Sequence, residues 1–283
     1  MQFFDEKVST NVVFDRRTAQ EIIASRDPAQ IWSDWQETDE KWLFFAPHDD
    51  DIVIGAGLTF LAGVHLGVDM YAAVITNGRM GYCLPEMRDT IIQIRREEAQ
   101  ESFRLLGLPE SNLYQFNYTD CDLPHNSGRW LTNDPKDTRA IAGGVGLQNT
   151  MVWLLRKIQP TRVFIPNRLD LHPDHSIVNT ELVMSIFHAQ GQIWPELGAP
   201  IPSLPKLYEY ATYNDFIAPP TIRVRVSDDL VEKRLKGIAL YKSQLQIGMV
   251  VNEVRKAGGN EYLHEMVFKI FSATKYESLF SGQ

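Results

Sequence analysis

Two short clusters of histidine and aspartate are the residues of this sequence best suited to chemistry. The first contains His48, Asp50 and Asp51, and the second contains His172 and His175. Catalytic zinc takes three protein ligands, commonly imidazole nitrogens and a carboxylate oxygen, and keeps one position for water. His48, Asp51 and His175 supply such a set. We therefore predict that these three residues bind a divalent metal, with Zn²⁺ the first choice and other divalent transition metals as alternatives.

The other members of the two clusters have the side chains that a hydrolytic reaction needs. Zinc lowers the pKa of a bound water to about 7, and a nearby base must then take its proton. Asp50 is the candidate base. His172 is the candidate donor to the leaving group or oxyanion, if Asp174 or Asp170 keeps it protonated, because a neighbouring carboxylate raises the pKa of an imidazole. Asp50, and His172 together with Asp174 or Asp170, are thus the candidate catalytic residues.

Both clusters also have a purely structural interpretation. Aspartate is favoured in turns and at helix N-caps, so three consecutive aspartates after a strand can be a capped turn. Asp174 or Ser176 can likewise cap a helix, with His172 and His175 on the surface. The coincidence of two such clusters favours the metal site. The other histidines are interpreted as ordinary core or surface residues, although His125 lies in a loop that can reach a substrate.

The elements around the clusters indicate why they should meet. Each cluster follows a short apolar run, at residues 42–46 and 163–165, that is typical of a buried strand. Along the chain, predicted strands alternate with predicted helices, which is the signature of a layered α/β fold. Ligands in such folds bind beyond the carboxyl ends of the strands. Both clusters are therefore expected to face one crevice.

Four other segments carry further predictions. We predict helices over residues 18–26, 229–244 and 261–271, the second with a capping box from Asp229 to Glu232. Residues 117–146 form the longest irregular tract. Because a long tract without secondary structure in a compact domain is usually functional, substrate contacts are predicted there.

Composition excludes several classes of protein. The 283 residues carry a formal net charge of −8 and a pI near 5.4, which argues against nucleic-acid binding. Two cysteines, Cys83 and Cys121, cannot form a disulfide framework and favour a reducing compartment. Residues 1–10 do not have the pattern of a signal peptide, and no apolar run has the length of a membrane span. We expect a soluble, cytoplasmic protein without a membrane span.

At the two clusters the sequence resembles the LmbE-like, or PIG-L, family of metal-dependent sugar-amide deacetylases. The family motif Pro-His-Pro-Asp-Asp appears here at residues 47–51, and Asp-x-His-Pro-Asp-His appears at residues 170–175. Weaker features agree, at residues 76–78, Arg95 with Glu98, and Ser243 with Gln244. The similarity extends from about residue 42 to residue 271.

The resemblance implies a Rossmann-like three-layer α/β fold with a mostly parallel central sheet. It also implies a zinc hydrolase that removes acetyl from an N-acetylglucosamine-type sugar or small glycoconjugate. By position, zinc would lie on His48, Asp51 and His175, with Asp50 as general base. His172 would polarise or protonate the tetrahedral intermediate, with Asp174 beside it.

Two positions depart from the family pattern. Asp49 replaces the motif proline and adds a charge near the predicted metal, and Ile52 stands where the family often has glutamate. Neither change removes a predicted ligand or the predicted base. We expect the two changes to affect the preference for substrate and metal rather than the type of reaction.

The domain organisation and partners follow from the same interpretation. Residues 1–41 are predicted to be an N-terminal extension packed on the main domain, and residues 42–283 to be the deacetylase domain. The expected partner is a small-molecule sugar or glycoconjugate, and a homo-oligomer is compatible with the sequence.

Two other functions remain open at the level of the sequence. One is a non-catalytic carbohydrate-binding protein on the same fold, because fold does not imply function. The other is a non-haem iron enzyme, because two histidines and one carboxylate also form its metal site. Magnesium for a phosphoesterase fits less well, because that ion prefers oxygen ligands.

Overall fold

A computed structural model describes residues 11–268 and 271–280 of the chain. Residues 1–10, predicted not to be a signal peptide, lie outside the described residues. The strands are β1 (Val12–Arg17), β2 (Ile22–Ser25), β3 (Lys41–Ala46), β4 (Asp69–Thr76), β5 (Leu113–Tyr118), β6 (Trp130–Leu131), β7 (Gly144–Val145), β8 (Arg162–Pro166), β9 (Lys206–Tyr210), β10 (Ile222–Val226) and β11 (Asn260–Met266). The helices are α1 (Asp51–Gly55), α2 (Gly57–His65), α3 (Ile91–Leu106), α4 (Leu147–Ile158), α5 (Pro173–Gln190), α6 (Asp228–Ile238), α7 (Ile247–Lys256) and α8 (Glu277–Phe280).

A nine-stranded sheet forms the centre of the molecule, in the order β2-β1-β10-β11-β9-β8-β3-β4-β5. The five strands from β9 to β5 pair in parallel, and the remaining four add to β9 as an antiparallel extension. The chain runs from β3 outward to β4 and β5, then crosses to β8 and β9 on the other side of β3. The boundary between β3 and β8 is therefore the topological switch point, where ligands bind in such sheets.

Apolar side chains cover both faces of the sheet and make two separate cores. One core joins α2, α3 and α6 to the sheet, and the other joins α4 and α5 to the opposite face. Strand β3 contributes to both, because alternate residues of a strand point to opposite faces. Its residues from Trp42 to Ala46 have no exposed surface. The predicted three-layer α/β fold with a mostly parallel central sheet is confirmed.

Several predicted elements differ from the structure. Residues 18–26 were expected to be helical, but β2 lies there and pairs with β1. Residues 261–271 were also expected to be helical, but β11 pairs with β10 and β9 across residues 260–266; residues 269 and 270 lie outside the described part. Helix α6 begins after Ser227 and ends at Ile238, so it is shorter than predicted. Neither Asp229 nor Glu232 caps it, and the predicted capping box is wrong.

The first described residues are part of the main sheet. Strand β1 pairs with β10 over residues 12–16, and Phe14 and Trp32 are completely buried. How far residues 1–41 act as a separate extension stays a prediction. Among the described helices, none is both long and apolar enough to cross a bilayer.

Candidate metal centre

The turn after β3 is fixed by hydrogen bonds from both of its ends. Asp51 Oδ2 accepts a hydrogen bond from the His48 backbone N–H at 2.8 Å, so the carboxylate folds back over the turn. The Pro47 carbonyl accepts from the backbone N–H of Thr76 at 2.9 Å and from its hydroxyl at 2.8 Å. Strand β4, which ends at Thr76, thereby holds the turn. These hydrogen bonds fix the backbone that carries His48 and Asp51.

The second cluster lies at the start of a long helix rather than in a loop. Helix α5 begins at Pro173, whose fixed backbone suits the first helical position. His172 is the N-cap, and its Nδ1 accepts a hydrogen bond from the Asp174 backbone N–H at 3.2 Å. His175 lies in the first turn and has no exposed surface. The helix therefore fixes the direction of His175.

Three ligand atoms of the two clusters converge on one point. His48 Nδ1 lies 3.2 Å from Asp51 Oδ2 and 3.3 Å from His175 Nε2, and the last two atoms are 3.2 Å apart. Zinc ligands at about 2.0–2.2 Å in a tetrahedral arrangement lie roughly 3.3–3.6 Å from one another. The three atoms therefore have nearly the spacing that a tetrahedral ion requires.

The remaining atoms of these residues also fit a metal site. Asp51 Oδ1 is buried and has no hydrogen-bond partner among the described residues. His175 Nδ1 lies 3.2 Å from Asp170 Oδ2, and His48 Nε2 lies 3.1 Å from Asp120 Oδ1. A carboxylate behind a ligating imidazole fixes the ring and raises its basicity. The residues present thus fit a divalent transition metal.

The electrostatic environment favours positive charge at this point. Burial alone would lower the pKa of both imidazoles, but Asp51 and other carboxylates outweigh it. They raise the pKa of His175 to about 9 and that of His48 well above its usual value. Burial would raise the pKa of Asp51, but the two imidazoles outweigh it and lower that pKa. A cation in place of the protons would meet the same attraction.

Asp50, the predicted base, lies next to the ligands but has a different partner. Its carboxylate is buried, and Oδ2 accepts a hydrogen bond from Gln244 Nε2 at 2.5 Å. Gln244 follows α6 and had been noted only as a feature of the resemblance, without a role. The hydrogen bond fixes one carboxylate oxygen of Asp50 and leaves the other to accept a proton.

The pKa of His172 shifts in the direction opposite to the one expected. Burial lowers its pKa, and the neighbouring His48 lowers it further, although Asp174 acts in the opposite direction. Asp174 therefore does not outweigh burial and His48, and the catalytic role of His172 stays a prediction. Because Nδ1 accepts the Asp174 N–H, the proton of the neutral ring lies on Nε2. Nε2 is thus the ring nitrogen of His172 that can donate a hydrogen bond.

Asp174 binds the long irregular tract rather than the His172 ring. Its Oδ2 accepts from the Cys121 backbone N–H at 2.8 Å and its Oδ1 from the Leu123 N–H at 3.3 Å. The same Oδ2 lies 3.5 Å from His48 Nε2. Asp174 therefore attaches the tract to the site and contributes to the environment of His48.

Residues 117–146 contain more structure than predicted, and they supply a residue that sequence reasoning missed. A short 3-10 helix (Leu123–Asn126) and the pair β6 and β7 lie within this tract. Asp120, which faces His48, is the missed residue. It follows the carboxyl end of β5, a parallel strand, and this position was the signal that could have revealed it. His125 has a largely exposed side chain and pairs with Asp122, so its predicted substrate contact stays a prediction.

Asp49, which replaces the motif proline, has a specific counterion. Its Oδ1 accepts a hydrogen bond from Arg95 Nη1 at 2.6 Å, and both side chains are buried. Its backbone carbonyl accepts from the Tyr241 hydroxyl at 2.6 Å. Gly78 and Gly81 lie against Arg95 so closely that a Cβ at either position would lie within 3 Å of it. The added charge is therefore neutralised within the fold.

A parallel α/β sheet with a His–Asp–His cluster at its switch point defines the class of the molecule. The family model named PIG-L, described as GlcNAc-PI de-N-acetylase, matches residues 43–187. The chain belongs to this family.

Individual relatives agree with this assignment. A diacetylchitobiose deacetylase of Thermococcus kodakarensis is 28% identical over 140 residues, which are 48% of this chain and 45% of the relative. The match thus spans less than half the length of that curated relative. The structure of N,N'-diacetylchitobiose deacetylase from Pyrococcus horikoshii is similar, with a TM-score of 0.64 and 26% identity over 81% of this chain and 85% of that one.

A third similarity shows that the fold hosts more than one reaction. The 4-carboxy-2-hydroxymuconate hydratase of Pseudomonas putida has a TM-score of 0.58 and 18% identity, covering 82% of this chain and 98% of that one. At this identity the likeness concerns the fold alone. The reaction must therefore be argued from the site.

Proposed function

We propose that this chain is a zinc-dependent deacetylase that hydrolyses the N-acetyl amide of an N-acetylglucosamine-type sugar or small glycoconjugate. Membership of the PIG-L family and the likeness to two diacetylchitobiose deacetylases support the reaction and the substrate class. The observation that carries the proposal is the convergence of His48 Nδ1, Asp51 Oδ2 and His175 Nε2 within 3.2–3.3 Å.

The metal would supply Lewis acidity and make a water acidic enough to attack at neutral pH. Asp50 takes the proton of the attacking water on the oxygen that Gln244 leaves free. The same carboxylate then delivers the proton to the amide nitrogen, so that the amine can leave. Acetate and the free amino sugar are the products.

His172 stabilises the charge that develops on the acetamide oxygen. Its Nε2–H donates while the Asp174 backbone N–H keeps Nδ1 occupied, which fixes the tautomer. A neutral donor suits this task, because it needs no proton transfer when the charge develops. Asp120 and Asp170 hold the two ligating imidazoles in orientation.

The test is acetate release from N-acetylglucosamine and N,N'-diacetylchitobiose by zinc-loaded protein. Asp50→Asn keeps the shape of the side chain but removes the base, and we expect a rate about 10²–10⁴-fold lower, as for loss of a general base. Zinc content should stay the same, because Asp50 is not among the proposed ligands. Asp39→Asn, an exposed position outside the site, is the matched control.

Two results would contradict the proposal. Acetate release that survives Asp50→Asn would remove the mechanism. A parent protein that binds zinc and amino sugars but releases no acetate would favour the carbohydrate-binding alternative. Metal analysis, and turnover in the absence of oxygen, separate the hydrolase from a non-haem iron enzyme.

A further inference from the structure

Three exposed apolar side chains border the buried candidate site. Leu171 is 75% exposed, Leu169 is 59% exposed and Tyr213 is 58% exposed. Leu171 stands between Asp170 and His172, which both belong to the site. We call Leu169, Leu171 and Tyr213 the apolar rim.

The loops that carry the apolar rim are attached to the site and to each other. The Tyr213 backbone N–H donates to Asp170 Oδ2 at 3.4 Å, and Asn214 Nδ2 donates to the Leu169 carbonyl at 2.9 Å. The centroid of the Tyr213 ring lies 5.3 Å from that of His175, a proposed metal ligand. The apolar rim therefore has a fixed place beside the atoms that would hold the metal.

The apolar rim is exposed, whereas the site beside it is buried and polar. This difference indicates that the rim residues bind a ligand rather than pack in the core. The candidate metal ligands and Asp50 are polar and at most 8% exposed, whereas the rim residues leave more than half of their surface in water. Apolar side chains that are grouped on a surface and bordered by polar groups commonly mark a binding site. Because they are so exposed, they contribute little to the core.

We propose that the apolar rim binds an apolar aglycone carried by the amino sugar, so that the preferred substrate is an alkyl or aryl N-acetylglucosaminide. The proposal rests on the proposed function for the identity of the sugar. Leu171 precedes His172 in the chain and the Tyr213 ring lies beside that of His175, so the two apolar side chains border the place where the acetamide would react. The hydroxyls of a sugar gain little from leucine, whereas an alkyl or aryl group buries apolar surface against both residues.

The experiment measures binding without turnover. Methyl and hexyl glycosides of glucosamine, which carry no acetyl group, are titrated calorimetrically into zinc-loaded protein. We expect the hexyl glycoside to bind about tenfold more tightly, because its additional methylene groups are partly removed from water. In Leu171→Ser and in Tyr213→Ser, the affinities for the methyl and the hexyl glycoside should become similar. Tyr213→Phe keeps the ring and should keep the difference.

A matched control lies at the far edge of the sheet. Ile22 is 66% exposed on β2, which is five strands away from β8, and Ile22→Ser should keep the tenfold difference. Equal affinities in the unsubstituted protein would overturn the proposal, as would a difference that persists in both serine variants of the rim. Sedimentation under the same conditions adds a third criterion. If the rim variants dissociate an oligomer of the unsubstituted protein, the rim is an interface between copies and the proposal is wrong.

Failure of this inference and failure of the proposed function give different results. Acetate release without a preference for the hexyl glycoside removes only the role of the rim. A preference for the hexyl glycoside without acetate release supports the rim as a ligand site and removes the deacetylase.

Discussion

At the scale of single residues, the candidate site depends on side chains that hold the reacting groups in position. Asp50 is the clearest case, because its partner Gln244 comes from a distant part of the chain and donates a 2.5 Å hydrogen bond. Such a bond selects which carboxylate oxygen is free. It also restricts rotation of the carboxylate.

Gln244→Leu tests this positioning role. We expect kcat for acetate release to fall about tenfold or more, because small errors in orientation are costly in catalysis. Zinc content should be unchanged. Gln246→Leu, an exposed glutamine two residues further along, should leave kcat as it is. Steady-state kinetics with metal analysis measure both, and an unaltered kcat in Gln244→Leu would show that the hydrogen bond has no catalytic role.

The raised pKa values of the two imidazoles predict that metal-free protein loses stability as the pH rises, whereas metal-loaded protein does not. The pKa of His175 is raised from its ordinary value of 6.5 to about 9, and that of His48 is also raised. A group with a raised pKa in the folded state stabilises the fold fully below its unfolded value and loses that contribution as the pH passes its folded value. The Tm of metal-free protein should therefore fall between pH 6.5 and 9.

Zinc should remove this trend, because it binds neutral imidazoles and must displace their protons. The increase in Tm caused by zinc should therefore become larger between pH 6.5 and 9. Thermal unfolding with a chelator or with zinc, at several pH values in this range, measures both trends. His175→Gln should reduce both slopes. A metal-free protein that becomes more stable toward pH 9 would contradict the assignment.

The residues of the candidate centre differ in how readily the sequence reveals them. His48, Asp51 and His175 stand in short local patterns after recognisable strands, so their neighbourhood was predictable, although their role as ligands stays a proposal. Asp120 and Tyr213 lie in irregular segments whose path depends on tertiary contacts. Periodicity carries no information there.

At the scale of elements, tertiary contacts replace the local signals that sequence analysis relies on. Helix α2 begins without a side-chain cap from its own N-cap residue. Instead, Glu261 of β11 accepts hydrogen bonds from the backbone N–H groups of Leu58 and Thr59 and from the Thr59 hydroxyl. Arg234 lies 3.4 Å from the same carboxylate. A strand thus caps a helix that is distant in sequence.

Glu261→Ala should destabilise the protein by about 3–5 kcal/mol. It leaves buried donors without an acceptor and the buried guanidinium of Arg234 without its counterion. Urea unfolding measures the change. Glu253→Ala, an exposed position on α7 paired with Lys256, should change the stability by no more than about 0.5 kcal/mol. Equal effects of the two substitutions would contradict the role of the tertiary cap.

The wrongly predicted elements have the same physical cause. Residues 18–26 include alanine, glutamine and glutamate, which favour helix, but pairing with β1 decides the structure of β2. Residues 261–271 contain apolar side chains that also fit a helix, whereas β11 is fixed by partners on both sides. The layered α/β fold itself was predictable, because the alternation of strand and helix patterns along the chain does not depend on any single element.

At the scale of the whole molecule, one sheet joins the first described residues to the last strands of the chain. Phe14 of β1 is completely buried, and its ring lies 5.4 Å from that of Trp32. Trp32 in turn contacts Trp42 on β3. Residues before 42 therefore complete the core of the parallel half.

Phe14→Ala should cost about 3–5 kcal/mol of unfolding free energy, as for other large core side chains. Phe280→Ala, at an 86% exposed position, should cost little. Equilibrium denaturation of both variants measures the difference. If Phe14→Ala unfolds like the parent protein, the contact between Phe14 and the core would contribute nothing to the stability of the main domain.

The candidate metal centre, at the switch point of the sheet, joins two distant parts of the chain. The turn that carries His48 and Asp51 and the helix that carries His175 are formed more than a hundred residues apart, and neighbouring strands alone bring them together. An ion bound by both would link the N-terminal and C-terminal halves of the chain, and a chelator could remove that link. Binding of the metal would then stabilise the fold as well as complete the site, and its removal would lower the Tm together with the turnover.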